Sequence, residues 1–123
     1  MGSVKSHRDL IVWQKAMDMT VMVYGVTKSF PKTEQFALTQ QLTRAAASVP
    51  ANIAEGNARS SRKEYANFLS IARGSLMETE TFITLAVRLG YVEESDVESA
   101  QGLVTEISKM LVSLRSNLTG NAE

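Results

Sequence analysis

Four cations, Arg59, Arg62, Lys63 and Arg73, gather near the middle of this 123-residue chain and are its best candidates for contact with phosphate. Guanidinium and ammonium groups attract the backbone of RNA or DNA through charge, and repetition around an assembly multiplies weak contacts of this kind. The same residues also suit a plain solvated turn. Catalytic and metal chemistry are poorly supplied. The one histidine, His7, falls in an N-terminal tail, and there is no cysteine. Glu55, Glu64, Glu78, Glu80 and Glu106 lack a histidine at the Glu-x-x-His spacing of di-iron bundles. Paired carboxylates would need a cleft that a small packed bundle does not offer. The residues read as those of a non-enzyme with no metal and no other cofactor.

A second polar set surrounds a proline. In the run from Arg44 to Gly56, Leu38, Leu42, Ala45, Val49 and Ile53 keep helical spacing on both sides of Pro50, which predicts one helix kinked at that residue. Proline in a helix interior removes an amide donor and clashes one turn back, a cost of about 3 kcal/mol. Arg44, Asn52 and Glu55 are polar groups able to meet the freed carbonyls. The residue types fit a structural kink better than a binding surface.

Four helices position these groups. The first is expected from Asp9 or Leu10 to about Thr27, and its apolar residues cover roughly half the circumference, wider than the ~100° stripe that one core requires. It therefore has two faces to bury. The second is expected from Thr33 or Glu34 to Ala58, with Gly56 a local weak point. Ser61 and Glu64 have capping-box spacing at the start of the third, which Gly90 stops. Ser95 and Glu98 have the same spacing before the fourth. Val97, Ala100, Val104, Ile107, Leu111, Leu114 and Leu118 follow a heptad pattern, the mark of packing between nearly antiparallel helices. With short connections, the fold class is all-α, an up-down-up-down four-helix bundle. Residues equidistant from the turn at Ser60 should be level, which sets 46–48 opposite 72–74 as a close crossing of small residues. The same register brings Arg44 near Glu78, whose place between Ile71 and Leu85 predicts partial cover, and so predicts an Arg44–Glu78 pair.

The domain is read as 9–118, with tails at 1–8 and 119–123. Hydrophobic content of 44% and an absence of long apolar runs fit a soluble protein, and the lack of cysteine suits the cytoplasm; no membrane association is expected. Met1-Gly2 with Ser6 and Asn117-Leu118-Thr119 match myristoylation and glycosylation patterns, but both patterns are too short to carry weight. Formal charge is zero, yet residues 1–73 hold ten Lys/Arg against five Asp/Glu, and 74–123 hold three against eight. Complementary halves suit contacts between helices or between subunits, whereas a dedicated nucleic-acid binder is more often basic throughout. Glu55 stands one helical turn from Arg59, a spacing that permits a surface pair and equally leaves Glu55 free to reach across a subunit boundary.

The segments Arg8-Asp9-Leu10, Val12-Trp13-Gln14-Lys15-Ala16, Arg44-Ala45-Ala46, Ser48-Val49-Pro50-Ala51-Asn52-Ile53-Ala54-Glu55-Gly56 and Gly74-Ser75-Leu76-Met77-Glu78 resemble those of the bacterial 23S ribosomal RNA intervening-sequence protein family. The resemblance runs from about His7 through Leu118. It implies kinship with the accessory protein of diversity-generating retroelements, and through it a homo-oligomeric ring of five bundles that binds nucleic acid and a reverse transcriptase. That relative is strongly basic, whereas this chain is neutral with a pI near 6.6. Two functions follow as expectations: a pentamer that contacts RNA or DNA, and a protein-interaction scaffold for a partner enzyme with no nucleic acid.

Overall fold

The computed structural model describes residues 6–120, so Met1-Gly2 and residues 121–123 lie outside it. Four helices account for most of the chain: α1 (Ile11–Val26), α2 (Leu38–Asn57), α3 (Arg62–Arg88) and α4 (Glu94–Thr119). Short 3-10 turns occupy His7–Asp9, Thr27–Ser29 and Lys32–Glu34, and the described residues hold no strand. α1 packs on α2 and α4, and α3 packs on the same two, so the helices form a four-cornered bundle.

The core follows the helical periodicity. Met19 and Val23 from α1, Leu42, Val49 and Ile53 from α2, Leu69, Leu76 and Ile83 from α3, and Ile107 and Leu111 from α4 are fully buried. Removing one such side chain from water contributes about 1.5–3 kcal/mol, which makes this interior the main source of stability. Thr79 is the only polar residue buried among those described, and its hydroxyl donates to the Ser75 carbonyl at 2.9 Å.

Helix ends depart from the sequence reading where side chains offered better partners. α2 starts at Leu38 because residues 32–37 turn twice first, and the Glu34 carboxylate accepts the Leu38 amide at 3.1 Å. Its other oxygen accepts the Tyr91 hydroxyl at 2.7 Å and ties this turn to the α3–α4 connection. Both bonds hold the Glu34 carboxyl below its usual range, and the same carboxylate pushes the Tyr91 phenol up. At the start of α3 only the Ser61 half of the capping box forms, with the Glu64 amide donating at 3.1 Å. α4 is capped two residues earlier than expected: Glu93 is the cap, and Asp96 rather than Glu98 accepts its amide, at 2.9 Å. α3 stops as expected at Gly90, whose φ of 80° lets the Tyr91 amide reach the Ala86 carbonyl and its own amide reach Val87.

Two residues differ more sharply. Gly56 is no weak point: a Cβ there would stand 2.8 Å from the Phe68 Cβ, so the glycine is what lets α2 and α3 cross closely. The expected crossing partner, Gly74, faces open space instead. Ser48 meets Ser75 across the interface, at 2.9 Å, rather than the residues near Ala72, a shift of about three positions from the symmetric register. His7 is half-buried against Trp13, with ring centroids 5.0 Å apart, and is not part of a free tail.

Candidate functional site

The α2–α3 turn brings Arg59, Arg62 and Lys63 together, but the fold already employs two of them. Arg62 donates from Nε to the Leu118 carbonyl at 3.0 Å and from Nη2 to the Asn117 carbonyl at 2.7 Å. A cation there meets the unsatisfied carbonyls and negative dipole end of α4. Arg59 pairs with Glu55 at 2.8 Å within the chain and lies 4.8 Å from the centre of the Phe68 ring. Lys63 is exposed, and its side chain has no hydrogen bond or ion pair among the described residues. Arg73 stands about 16 Å further along α3, and its Nε contacts the Ser108 hydroxyl of α4 at 3.4 Å. The four cations thus form a turn cluster and a separate residue rather than one patch.

The polar motif around Pro50 divides as well. α2 runs unbroken through this buried proline. Asn52 donates to the Ser48 carbonyl at 2.8 Å and lies 2.9 Å from its hydroxyl, which meets Ser75, so Asn52 supports a polar link between α2 and α3. Arg44 and Glu78 form no ion pair. They stand on the two banks of one shallow groove, both exposed, and the ion pairs among the described residues are Lys15–Glu106 and Arg59–Glu55. An exposed Arg–Glu pair gains at most about 1 kcal/mol against the ordering of two long side chains, which explains why both stay solvated. The partial cover expected for Glu78 is absent because its neighbours Ile71 and Leu85 are themselves exposed, by 51% and 41%.

Two further surfaces among the described residues bear on assembly. Along the outside of α1, Met17, Val21 and Tyr24 are 41%, 69% and 52% exposed and recur at i, i+4 and i+7, so they form one stripe facing away from Ala16, Met19 and Val23. The breadth of apolar residues in this helix had pointed to such a second face. The other surface was missed: a groove of about 460 Å3 between α3 and α4, floored by Leu69 and Leu111 and edged by Met77, Val112, Arg73 and Arg115. Met77 and Val112 are apolar residues outside the core register beside a mid-helix glycine, Gly74, and that combination is the signal that could have found it.

Among the described residues no group of three or more His, Cys, Asp or Glu is placed to hold a metal ion. No helix among them is long and apolar enough to cross a membrane.

Comparison with known families matches residues 8–113 to the model described as 23S rRNA-intervening sequence protein. Among solved structures, the chain is similar to the crystal structure, at 1.70 Å resolution, of a protein of unknown function from the S23 ribosomal protein family of Bacteroides thetaiotaomicron VPI-5482. The two are 30% identical with a TM-score of 0.77, over 85% of this chain and 98% of that one. Curated proteins give no match.

Proposed function

This chain belongs to the 23S rRNA-intervening sequence protein family, and from that premise we propose that it acts in the cytoplasm as a non-enzymatic, self-assembling bundle, with a pentamer the favoured state. The observation that carries this reading is the outward stripe of α1. Burying Val21, Met17 and Tyr24 in a subunit contact would remove from water an apolar row that the bundle itself leaves exposed. The breadth of the family match extends the same reading to the arrangement of helices, not to any chemistry. Val21→Glu tests it, since a charge in the middle of the stripe should reduce the mass in solution to that of one 13.5 kDa chain while helical content stays unchanged. An unchanged mass would show that α1 is not the contact.

A second reading is contact with RNA or DNA through the α2–α3 turn. It is supported by Lys63, which has no ion pair among the described residues, and by Arg59, 41% exposed beside it. Repetition of this turn around a ring would raise a weak phosphate contact through effective concentration. The neutral charge of the chain and the use of Arg62 to cap α4 favour instead a scaffold that meets a partner enzyme. Purified protein with raised absorbance at 260 nm supports the nucleic-acid reading, and absorbance typical of protein alone supports the scaffold.

A further inference from the structure

We infer that the α3–α4 groove is the seat for α1 of a neighbouring copy, in a head-to-tail contact; this rests on the self-assembly reading and names the two faces that meet. The groove and the stripe belong to different helices, so one subunit can use both at once. Such heterologous contacts build rings or filaments rather than two-fold dimers.

Three observations converge. The first is shape. Gly74 sits in the interior of α3, exposed, with nothing within 4 Å of an added Cβ and no positive φ to require glycine. Glycine in a helix interior is less favourable than alanine, and no close contact among the described residues requires it here. A second helix laid in the groove would require it, because the missing side chain lets its backbone approach. Gly25, in the last turn of α1 and four residues after Val21, is in the same state on the opposing surface; the third such helix glycine, Gly102, belongs to neither. The second is apolar complementarity: Met77 and Val112 at the groove edges are 38% and 50% exposed, matching the exposed stripe of α1.

The third is charge. The groove carries Arg73 and Arg115 and no acid among its lining residues. Among the described residues Arg115 has no ion pair, and Arg73 spends only its Nε, on Ser108. α1 contains one acid, Asp18, which is exposed, borders the stripe three residues before Val21 and has no ion pair among the described residues. Its one base, Lys15, is bound to Glu106 at 3.0 Å. The stripe is thus apolar with one negative charge, and the groove apolar with two positive charges, an arrangement that fixes orientation and disfavours groove-to-groove pairing.

The absence of cysteine allows a direct test with a short bismaleimide cross-linker. The full-length double variant Val21→Cys/Val112→Cys, shown by light scattering to keep the native mass, should give a ladder of covalent multimers on a denaturing gel. Each single variant should give none. Adding Gly74→Trp, which fills the groove, should abolish the ladder with helical content retained. An oligomer in which Val21→Cys cross-links to itself, or in which the double variant yields no ladder, overturns the inference while leaving self-assembly intact. A native protein that is monomeric before any cross-linker is added overturns both.

Discussion

The Thr20 hydroxyl of α1 lies 3.1 Å from the carbonyl oxygen of Ala46 in α2 and 2.8 Å from that of its own helix neighbour Ala16. Ala46 is the residue four before Pro50, so its carbonyl is the one that loses a helical amide donor to the proline ring. One shared proton from α1 thereby reaches the acceptor left open in α2, and a side chain that reads as a mildly unfavourable helix former turns out to hold two helices together.

The contact predicts a coupled pair of substitutions. Thr20→Val keeps the shape and removes the donor, leaving the carbonyl of the buried Ala46 unmet, and should cost about 1–2 kcal/mol in denaturant unfolding. In a Pro50→Ala background the restored amide can satisfy Ala46 itself, so the same change should cost at least ~0.5 kcal/mol less. Equal costs in the two backgrounds would show that Thr20 does not serve that carbonyl.

Glycines in this fold divide by what surrounds them. Gly56→Ala would force a Cβ to within 2.8 Å of Phe68 and 3.0 Å of the Tyr65 ring, so it should destabilise by about 1–3 kcal/mol. Gly102→Ala meets nothing within 4 Å and should stabilise by roughly 0.5–1 kcal/mol through helix propensity alone. Thermal melts of the two variants should move in opposite directions.

Arg62 and Lys63 are neighbours with different roles. Arg62→Ala removes two hydrogen bonds from the C-terminus of α4 and should cost about 1 kcal/mol, with faster amide exchange in that last turn. Lys63→Glu should leave stability within ~0.5 kcal/mol. If the turn meets nucleic acid, it is Lys63→Glu that weakens binding at constant stability, and the wild-type affinity falls steeply with added salt.

The Glu34–Tyr91 bond gives the fold two pH limits. The folded-state Glu34 carboxyl lies below its ordinary 4.5, so its contribution is present above that value and is lost as pH falls through the lowered folded value. Tyr91 is raised above its ordinary 10.0, so its contribution holds below that pH and is lost as pH rises through the raised value. Unfolding free energies of wild type and Tyr91→Phe should therefore differ at neutral pH and converge in acid. A constant gap down to pH values well below the carboxylate range would assign the effect to packing of the ring against Phe30 instead.

The helices were legible in the sequence because burial follows a 3.6-residue period whatever the details of packing. Leu69, Leu76 and Ile83, and Val104, Ile107 and Leu111, are buried where that period places them. Helix ends were less legible, since the choice between Glu93 and Ser95 as cap, or between Glu34 and Leu38 as first residue, depends on partners such as Asp96 and Tyr91 that only the folded chain brings near. The Arg44–Glu78 pair failed for a different reason. Ser48 meets Ser75, which sets the two charges nearly level, but level positions on outward faces leave both in water. Arg62 could not be told from Lys63 by residue type, because its partners are backbone carbonyls 55 and 56 positions away. The α3–α4 groove left a partial signal in Met77, Val112 and Gly74, but its two edges meet only in the bundle.

The central claim is that this bundle is built to assemble through surfaces it leaves apolar, and the mass in solution tests it most directly. Gel filtration coupled to light scattering of the wild-type chain should give a discrete multiple of 13.5 kDa, with five copies the expected state. A single stable 13.5 kDa species across the concentration range would contradict the account and leave the outward stripe of α1 for a different partner.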